Sequence, residues 1–182
     1  MKKYPKSFLC MCGLILVLLL TALAAPFLAP NDPYQTELMY ALKGSSAQFP
    51  LGTDSLGRCM LSRILYGART SIFSSLCIIA VVFFLGTGVG VVSGYAGGIA
   101  DQILTKFITI MQAFPKFILA IAIAGVLGIG IENTIFALCL VEWAEYARMA
   151  RSLTMGVRQK TYIRAAKVCG ESSIKIMARH VF

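Results

Sequence analysis

Four long apolar stretches divide this chain of 182 residues, and they constrain its fold more than any other feature. Hydrophobic residues make up 58% of the sequence and charged residues only 14%, which is too few to cover the surface of a water-soluble protein of this size. About 20 apolar residues are enough for a helix to cross a bilayer. The sequence therefore predicts an all-α, polytopic membrane protein with about four transmembrane helices.

The first stretch, residues 7–31, carries no charge and follows a lysine-rich start. It predicts a transmembrane anchor within residues 1–30. The alternative is a signal peptide, because a cationic start, an apolar run and a cleavage site at Ala22-Leu23-Ala24, with small residues at positions 22 and 24, are also typical of signal peptides. In either case the polar connection that follows, residues 31–69, is predicted to lie outside the cytoplasm.

The other three stretches lie within a predicted core domain, residues 70–182, with helices over residues 71–92, 103–127 and 133–149. Pro115 predicts a kink in the second of these helices, because proline has no backbone donor. Gly86 and Gly90 lie four residues apart, on one helix face, where glycine lets another helix approach closely. Gly94 is predicted to belong to a turn.

The net charge of +9 is concentrated towards the end of the chain, since eight of the 17 lysines and arginines follow Trp143. With four crossings, this positive-inside pattern predicts that the N-terminus and the C-terminal tail are both cytosolic. The cations flank apolar spans without interleaved aromatics, which argues against nucleic acid as a partner. Arg58, Arg63 and Arg69 fall in the predicted external connection instead. Pairing with Asp54, or contact with lipid phosphates, would account for them.

No catalytic motif is present. The dipeptide Gly-Lys never occurs, which excludes a Walker A loop for nucleotide hydrolysis. The single histidine, His180, argues against a Ser-His-Asp triad. Most of the six cysteines lie in apolar runs, where cysteine behaves as a small hydrophobic residue. The sequence therefore predicts no enzyme, no metal site and no cofactor.

The basic tail, residues 150–182, is mostly helix-forming. Ala165 and Ala166 form a small-residue patch beside Arg164, and such a patch lets a short helix sit in a groove on another protein. Gly170 permits a sharp change of direction after that helix. The alternative is a solvated basic helix held at the membrane surface by anionic lipid.

Several stretches of the chain, taken together, resemble one family. The tail pattern Tyr162-x-x-Ala165-Ala166-x-x-x-Gly170 is similar to the cytoplasmic loop of binding-protein-dependent ABC importer permeases, with Arg164 in a position usually held by glutamate. The other matching stretches are Leu51-Gly52-Thr53-Asp54-x-x-Gly57-Arg58, Gly94-Tyr95-x-Gly97-Gly98-x-x-Asp101, Phe114-Pro115 and Tyr146-Ala147-Arg148-x-x-Arg151. Their order and spacing resemble the dipeptide, oligopeptide and nickel permease family, of the second-permease type, and residues 126–153 are closer to its nickel-transport subgroup.

The resemblance implies the fold of type I ABC importer permeases, of whose six usual helices about four are present, so the chain resembles a permease truncated at its C-terminus. It implies import of nickel or of di- and oligopeptides across the inner membrane of a bacterium by alternating access. The implied partners are a second permease subunit, cytosolic ATPase subunits, an extracytoplasmic solute-binding protein and membrane lipid. The implied contact with the ATPase is made by Tyr162, Arg164, Ala165, Ala166 and Gly170. A non-functional fragment and a channel subunit that needs no ATPase are the alternatives.

Lys116, Glu142 and Glu145 are candidate residues of the transport pathway. Ionisable side chains at membrane depth are costly unless they face a cavity or a partner, and carboxylates facing the pathway would suit Ni²⁺. The alternative is that both glutamates lie at the cytosolic interface and pair with Arg148 or Arg151.

Overall fold

The computed structural model describes residues 6–181, and over that range its regular secondary structure is helical, with one isolated β-bridge between Thr53 and Cys59 in the irregular connection between the first two long helices. The all-α prediction is confirmed. Phe182, the predicted end of the cytoplasmic loop, lies outside the described residues, as do the first two lysines. The helices are α1 (Lys6–Leu28), α2 (Met60–Ala96), α3 (Gly98–Ala113), α4 (Lys116–Leu127), α5 (Ile131–Arg158), α6 (Thr161–Val168) and α7 (Ser173–Ile176), with a 3₁₀ turn at Leu38–Tyr40 and a π-helical turn at Met177–Val181.

Two helices of the described chain, α1 and α2, are long and apolar enough to cross a bilayer. The pair α3 and α4 counts as a third span if it is one broken span, and its axes bend by 86°. The kink predicted at Pro115 is therefore a complete break. The predicted fourth span lies inside α5, which does not meet the same test because it carries several charges. Its crossing stays a prediction.

The chain divides into two compact units, Met1–Ser75 and Leu76–Phe182, and the boundary falls within α2. This helix was predicted to begin at residue 71, where the uncharged run starts, but it begins at Met60. The extra turns contain Arg63 and Arg69 among apolar residues, so the length of the uncharged run alone could not reveal them. Ser62 is fully buried there, and its hydroxyl accepts a hydrogen bond from the backbone N–H of Asn31 at 3.2 Å.

In the first unit, Asp54 organises the connection between α1 and α2. Its carboxylate accepts hydrogen bonds from the backbone N–H groups of Leu56 and Arg58, both at 2.9 Å, and forms ion pairs with the guanidinium groups of Arg58 and Arg63. Desolvation alone would raise the pKa of the Asp54 carboxyl, but the hydrogen bonds from Arg58 and Leu56 hold that pKa well below its usual range. The predicted pairing of arginines with Asp54 is confirmed for Arg58 and Arg63.

In the second unit, small residues bring α2 and α5 into close contact. A Cβ atom added to Gly86 would lie 2.6 Å from the Cβ of Tyr146, and one added to Gly94 would lie 2.7 Å from the carbonyl oxygen of Arg151. Among the buried residues of α5, Ala147, Ala150 and Thr154 lie against the glycines of α2. Gly94 therefore belongs to this interface, and the prediction that it forms a turn is wrong.

The core of the second unit is built where α3 packs on α5. Ile108, Ala144 and Ala147 are its buried centre, and the rings of Phe107 and Trp143 stack with centroids 6.0 Å apart. Because alanines occupy the centre of the α5 face, helix backbones approach closely, which is the way helices pack where lipid removes the usual hydrophobic driving force. This packing positions α5, and α5 leads directly to the candidate coupling segment.

Candidate coupling segment and charged clusters

The small-residue patch of the tail lies on α6, a separate helix that follows α5 after two residues. Ile163 is 3% exposed and anchors this helix. Tyr162, Arg164 and Ala165 are exposed, and Ala166 is half-buried. The structure thus places the predicted coupling residues of α6 on a short helix with one buried anchor and an accessible face.

Gly170 ends α6 with a defined cap. Its φ of +84° is in the left-handed region that favours glycine. Its N–H donates to the carbonyl of Lys167 at 3.1 Å, and the N–H of Glu171 donates to the carbonyl of Ala166 at 3.1 Å. This pair of bonds is the Schellman motif, which satisfies carbonyls at the helix end and redirects the chain. The change of direction predicted at Gly170 has this structural basis.

A cavity of about 650 Å³ lies beside α6, between the ends of α2 and α5 and the start of α7. Its lining includes the cations Arg158, Arg164 and Lys167, together with the ring of Tyr95. The guanidinium of Arg158 lies over that ring, 6.0 Å from its centroid. The surroundings of α6 are therefore strongly cationic, which suits a partner with acidic groups.

The three candidate pathway residues form one cluster. Lys116 is the first residue of α4, and its Nζ lies 3.3 Å from a carboxylate oxygen of Glu142 and 3.3 Å from one of Glu145 on α5. The lysine is 47% exposed and Glu145 is 61% exposed. A cavity of about 300 Å³ adjoins the cluster, and Arg148 also lines it. The helix break at Pro115 turns the start of α4 towards α5, and Lys116 therefore reaches the two glutamates.

The alternative prediction placed these glutamates at the cytosolic interface, paired with Arg148 or Arg151; it is wrong for Arg151, and the interface and the pairing with Arg148 stay predictions. Arg151 instead forms a two-pronged ion pair with Asp101 on α3, with Nε 2.5 Å from Oδ1 and Nη2 2.7 Å from Oδ2. Asp101 and Arg151 both lie in stretches that resemble the permease family, but the sequence did not predict that they form an ion pair. One stretch carries a single acid, Asp101, and the other carries two bases, Arg148 and Arg151, and that complementarity was the available signal.

Among the described residues, no group of three or more His, Cys, Asp or Glu side chains is placed to hold a metal ion. Glu142 and Glu145 are two carboxylates that already share one ammonium group. The two carboxylates of this cluster can give up the ammonium of Lys116 and bind another cation, because the contacts are long and the side chains reach solvent.

Residues 86–182 match the family described as "Binding-protein-dependent transport system inner membrane component". The chain is 34% identical over 169 residues to a dipeptide transport system permease protein of Haemophilus influenzae, covering 90% of this chain and 57% of that protein. It is 36% identical over 168 residues to a nickel transport system permease protein of Escherichia coli, covering 92% and 61%. It is 33% identical over 183 residues to a glutathione transport system permease protein of Pectobacterium atrosepticum, covering 99% and 61%.

These similarities extend over nearly all of this chain but not over all of its relatives, since the chain spans 57% to 61% of their lengths. The family match covers the Gly86 end of the α2–α5 interface, both charged clusters on α5, and α6.

Proposed function

This chain belongs to the family of inner-membrane components of binding-protein-dependent transport systems, and on that premise we propose that it is a permease subunit of an ATP-driven importer. It is a bacterial inner-membrane protein. The proposed cargo is nickel or di- and oligopeptides, since nickel and dipeptides are named for its relatives. The observation that carries the proposal is α6, a capped helix whose accessible face carries the exposed Ala165 and the half-buried Ala166, with cationic neighbours.

The proposed division of labour places ATP hydrolysis in separate cytosolic subunits. A second permease subunit would complete the pathway, and an extracytoplasmic binding protein would deliver the cargo. Tyr162, Arg164, Ala165 and Ala166 would sit in a groove on the ATPase, with Gly170 setting the angle of the chain that follows. Both ends of the chain would face the cytosol, because the cations are concentrated after Trp143 and four crossings would return the chain to the side on which it began.

The experiment that tests this proposal is a pull-down of the ATPase by the chain co-produced with its partners. Ala166→Asp should abolish ATPase recovery and cargo uptake while insertion into the membrane persists, because a carboxylate would block close seating of the patch. Ile174→Asp is the matched control, since Ile174 lies on α7 and is 76% exposed. It should leave recovery unchanged. Full ATPase recovery with Ala166→Asp would contradict the proposal, and a wild-type chain that recovers no ATPase would favour the channel or fragment alternatives.

The pathway role of Glu142 is proposed on the exchangeable contact with Lys116. Replacing the carboxylate by an amide in Glu142→Gln should lower nickel uptake, because the amide has no charge to attract a divalent cation. Dipeptide uptake, measured in parallel, should change less. Unchanged nickel uptake would remove Glu142 from the pathway.

A further inference from the structure

Asp101 lies at a junction of three helices that the proposed function does not use. Its carboxylate receives both prongs of the Arg151 guanidinium from α5, at 2.5 and 2.7 Å. The hydroxyl of Ser93 on α2 donates to the same carboxylate at 2.5 Å. One side chain on α3 therefore holds the ends of two other helices.

This junction is mostly covered by protein. The side chain of Asp101 is 14% exposed, that of Arg151 is 23% exposed, and Ser93 is fully buried. Two-pronged arginine–carboxylate contacts fix orientation as well as distance. Because water reaches these groups poorly, the interaction is also less screened than an exposed ion pair. The contact is therefore suited to holding helices in one arrangement.

Two further contacts place the end of α5 against the same turn of the chain. A Cβ atom added to Gly97, which has a φ of +68°, would lie 2.9 Å from Nη1 of Arg158. The guanidinium of Arg158 also covers the ring of Tyr95. Because α5 ends at Arg158 and α6 begins at Thr161, the last two turns of α5 are held on α2 and on the turn to α3 just before the coupling helix begins.

We propose that Asp101 is a positioning residue for energy coupling, and that it clamps the end of α5 to α2 and α3 through Arg151 and Ser93. With the clamp closed, a displacement of α6 moves the ends of α5, α2 and α3 together. With the clamp open, the end of α5 bends by itself, and the displacement is lost before it reaches α2. The proposal rests on the proposed docking of the ATPase at α6.

The test is Asp101→Asn in the assembled transporter, because this change removes the charge and keeps the size of the side chain. ATPase recovery should be unchanged. The amount of cargo transported per ATP hydrolysed should fall by about fivefold or more, since fivefold is the lower end of the usual range for coupling between two sites. Exchanging the charges in Asp101→Arg with Arg151→Asp should restore part of that ratio. Glu132→Gln is the matched control, since Glu132 is an exposed carboxylate at the start of α5, and it should leave the ratio unchanged.

A second measurement tests the clamp without the ATPase. In Asp101→Asn, amide hydrogen exchange over residues 151–158 should become faster than in the wild type, while exchange over residues 116–127 stays the same. A residue that only supports folding would lower transport, ATP hydrolysis and the amount of assembled complex in parallel, with the ratio of transport to hydrolysis constant. That result, or an unchanged ratio, would overturn the proposal. Wild-type protein that recovers no ATPase would instead show that the proposed function has failed, whatever the exchange data show.

Discussion

Helix α5 meets its neighbours through two charged contacts of opposite character. Towards its end, Arg151 grips Asp101 at 2.5 and 2.7 Å, in surroundings that leave both side chains largely covered. Near its middle, Glu142 and Glu145 share Lys116 at 3.3 Å, and that lysine is 47% exposed. One helix therefore carries a contact that resists rearrangement and another that permits it.

The difference follows from the chemistry of the two bases and from their places in the fold. Arginine presents a planar fork that matches a carboxylate, whereas lysine is a hydrated point charge on a flexible stem. Two glutamates on one lysine also leave the middle cluster with a surplus negative charge. The cluster lies beside the 86° break between α3 and α4.

The largest effect is expected at the glycine contact that supports the fixed end. In Gly90→Ala, the new Cβ would lie 2.8 Å from the Cβ of Ala150 and 2.9 Å from the backbone nitrogen of Arg151. Such overpacking should lower the free energy of unfolding by about 1–3 kcal/mol, measured by denaturant titration in detergent micelles. Gly88→Ala is the matched control, because nothing lies within 4 Å of that Cβ. Equal losses in the two variants would show that α2 and α5 are not closely packed.

An intermediate effect is expected from Ser93→Ala. It removes a hydrogen bond to a carboxylate from a buried position, and bonds of this kind contribute about 1.5–3 kcal/mol. We expect a loss near the lower value in the same titration, because Arg151 still holds Asp101. The control Ser75→Ala removes a hydroxyl that bonds only within its own helix and is exposed, and it should have little effect.

The smallest effect is expected from Lys116→Gln. Exposed ion pairs contribute about 0–1 kcal/mol. The free energy of unfolding should therefore fall by less in Lys116→Gln than in Ser93→Ala. The difference from wild type should shrink further as salt is raised, because salt screens exposed charges. A loss as large as that of Ser93→Ala, or one insensitive to salt, would remove the distinction between the two contacts.

Local pattern was enough to predict the parts of the molecule that depend on neighbours in sequence. Gly86 and Gly90 were found by their four-residue spacing, and both meet α5. Asp54 was a predicted partner for arginines close to it in the chain, and it pairs with Arg58 and Arg63. The start of α2 was missed because Arg63 and Arg69 interrupt the apolar sequence after Met60, so the uncharged run begins only after Arg69.

Contacts between distant residues could not be predicted in the same way. Arg151 and Asp101 are 50 positions apart, and nothing in the spacing of either stretch says that α3 returns along α5. For Glu142 and Glu145 the nearest bases in sequence were the expected partners. The break after Ala113 instead brings Lys116 to them from another helix. Both cases depend on how the chain turns between helices, and that is decided by tertiary packing.

The glycines of α2 recur every four residues, at 86, 90 and 94, and each faces the backbone of α5. Because glycine has no side chain that could interlock with α5, these positions form a shallow groove along one face of α2. Sliding α2 by one repeat, about 6 Å at 1.5 Å per residue, would bring each glycine to the former place of the next, but it would also bring Val82 to the place of Gly86, where even a Cβ atom would lie 2.6 Å from the Cβ of Tyr146. Ser93 would then no longer reach Asp101. The register of α2 on α5 is therefore set at both ends of this groove, by the bulk of Val82 at one end and by the polar junction of Ser93 with Asp101 at the other.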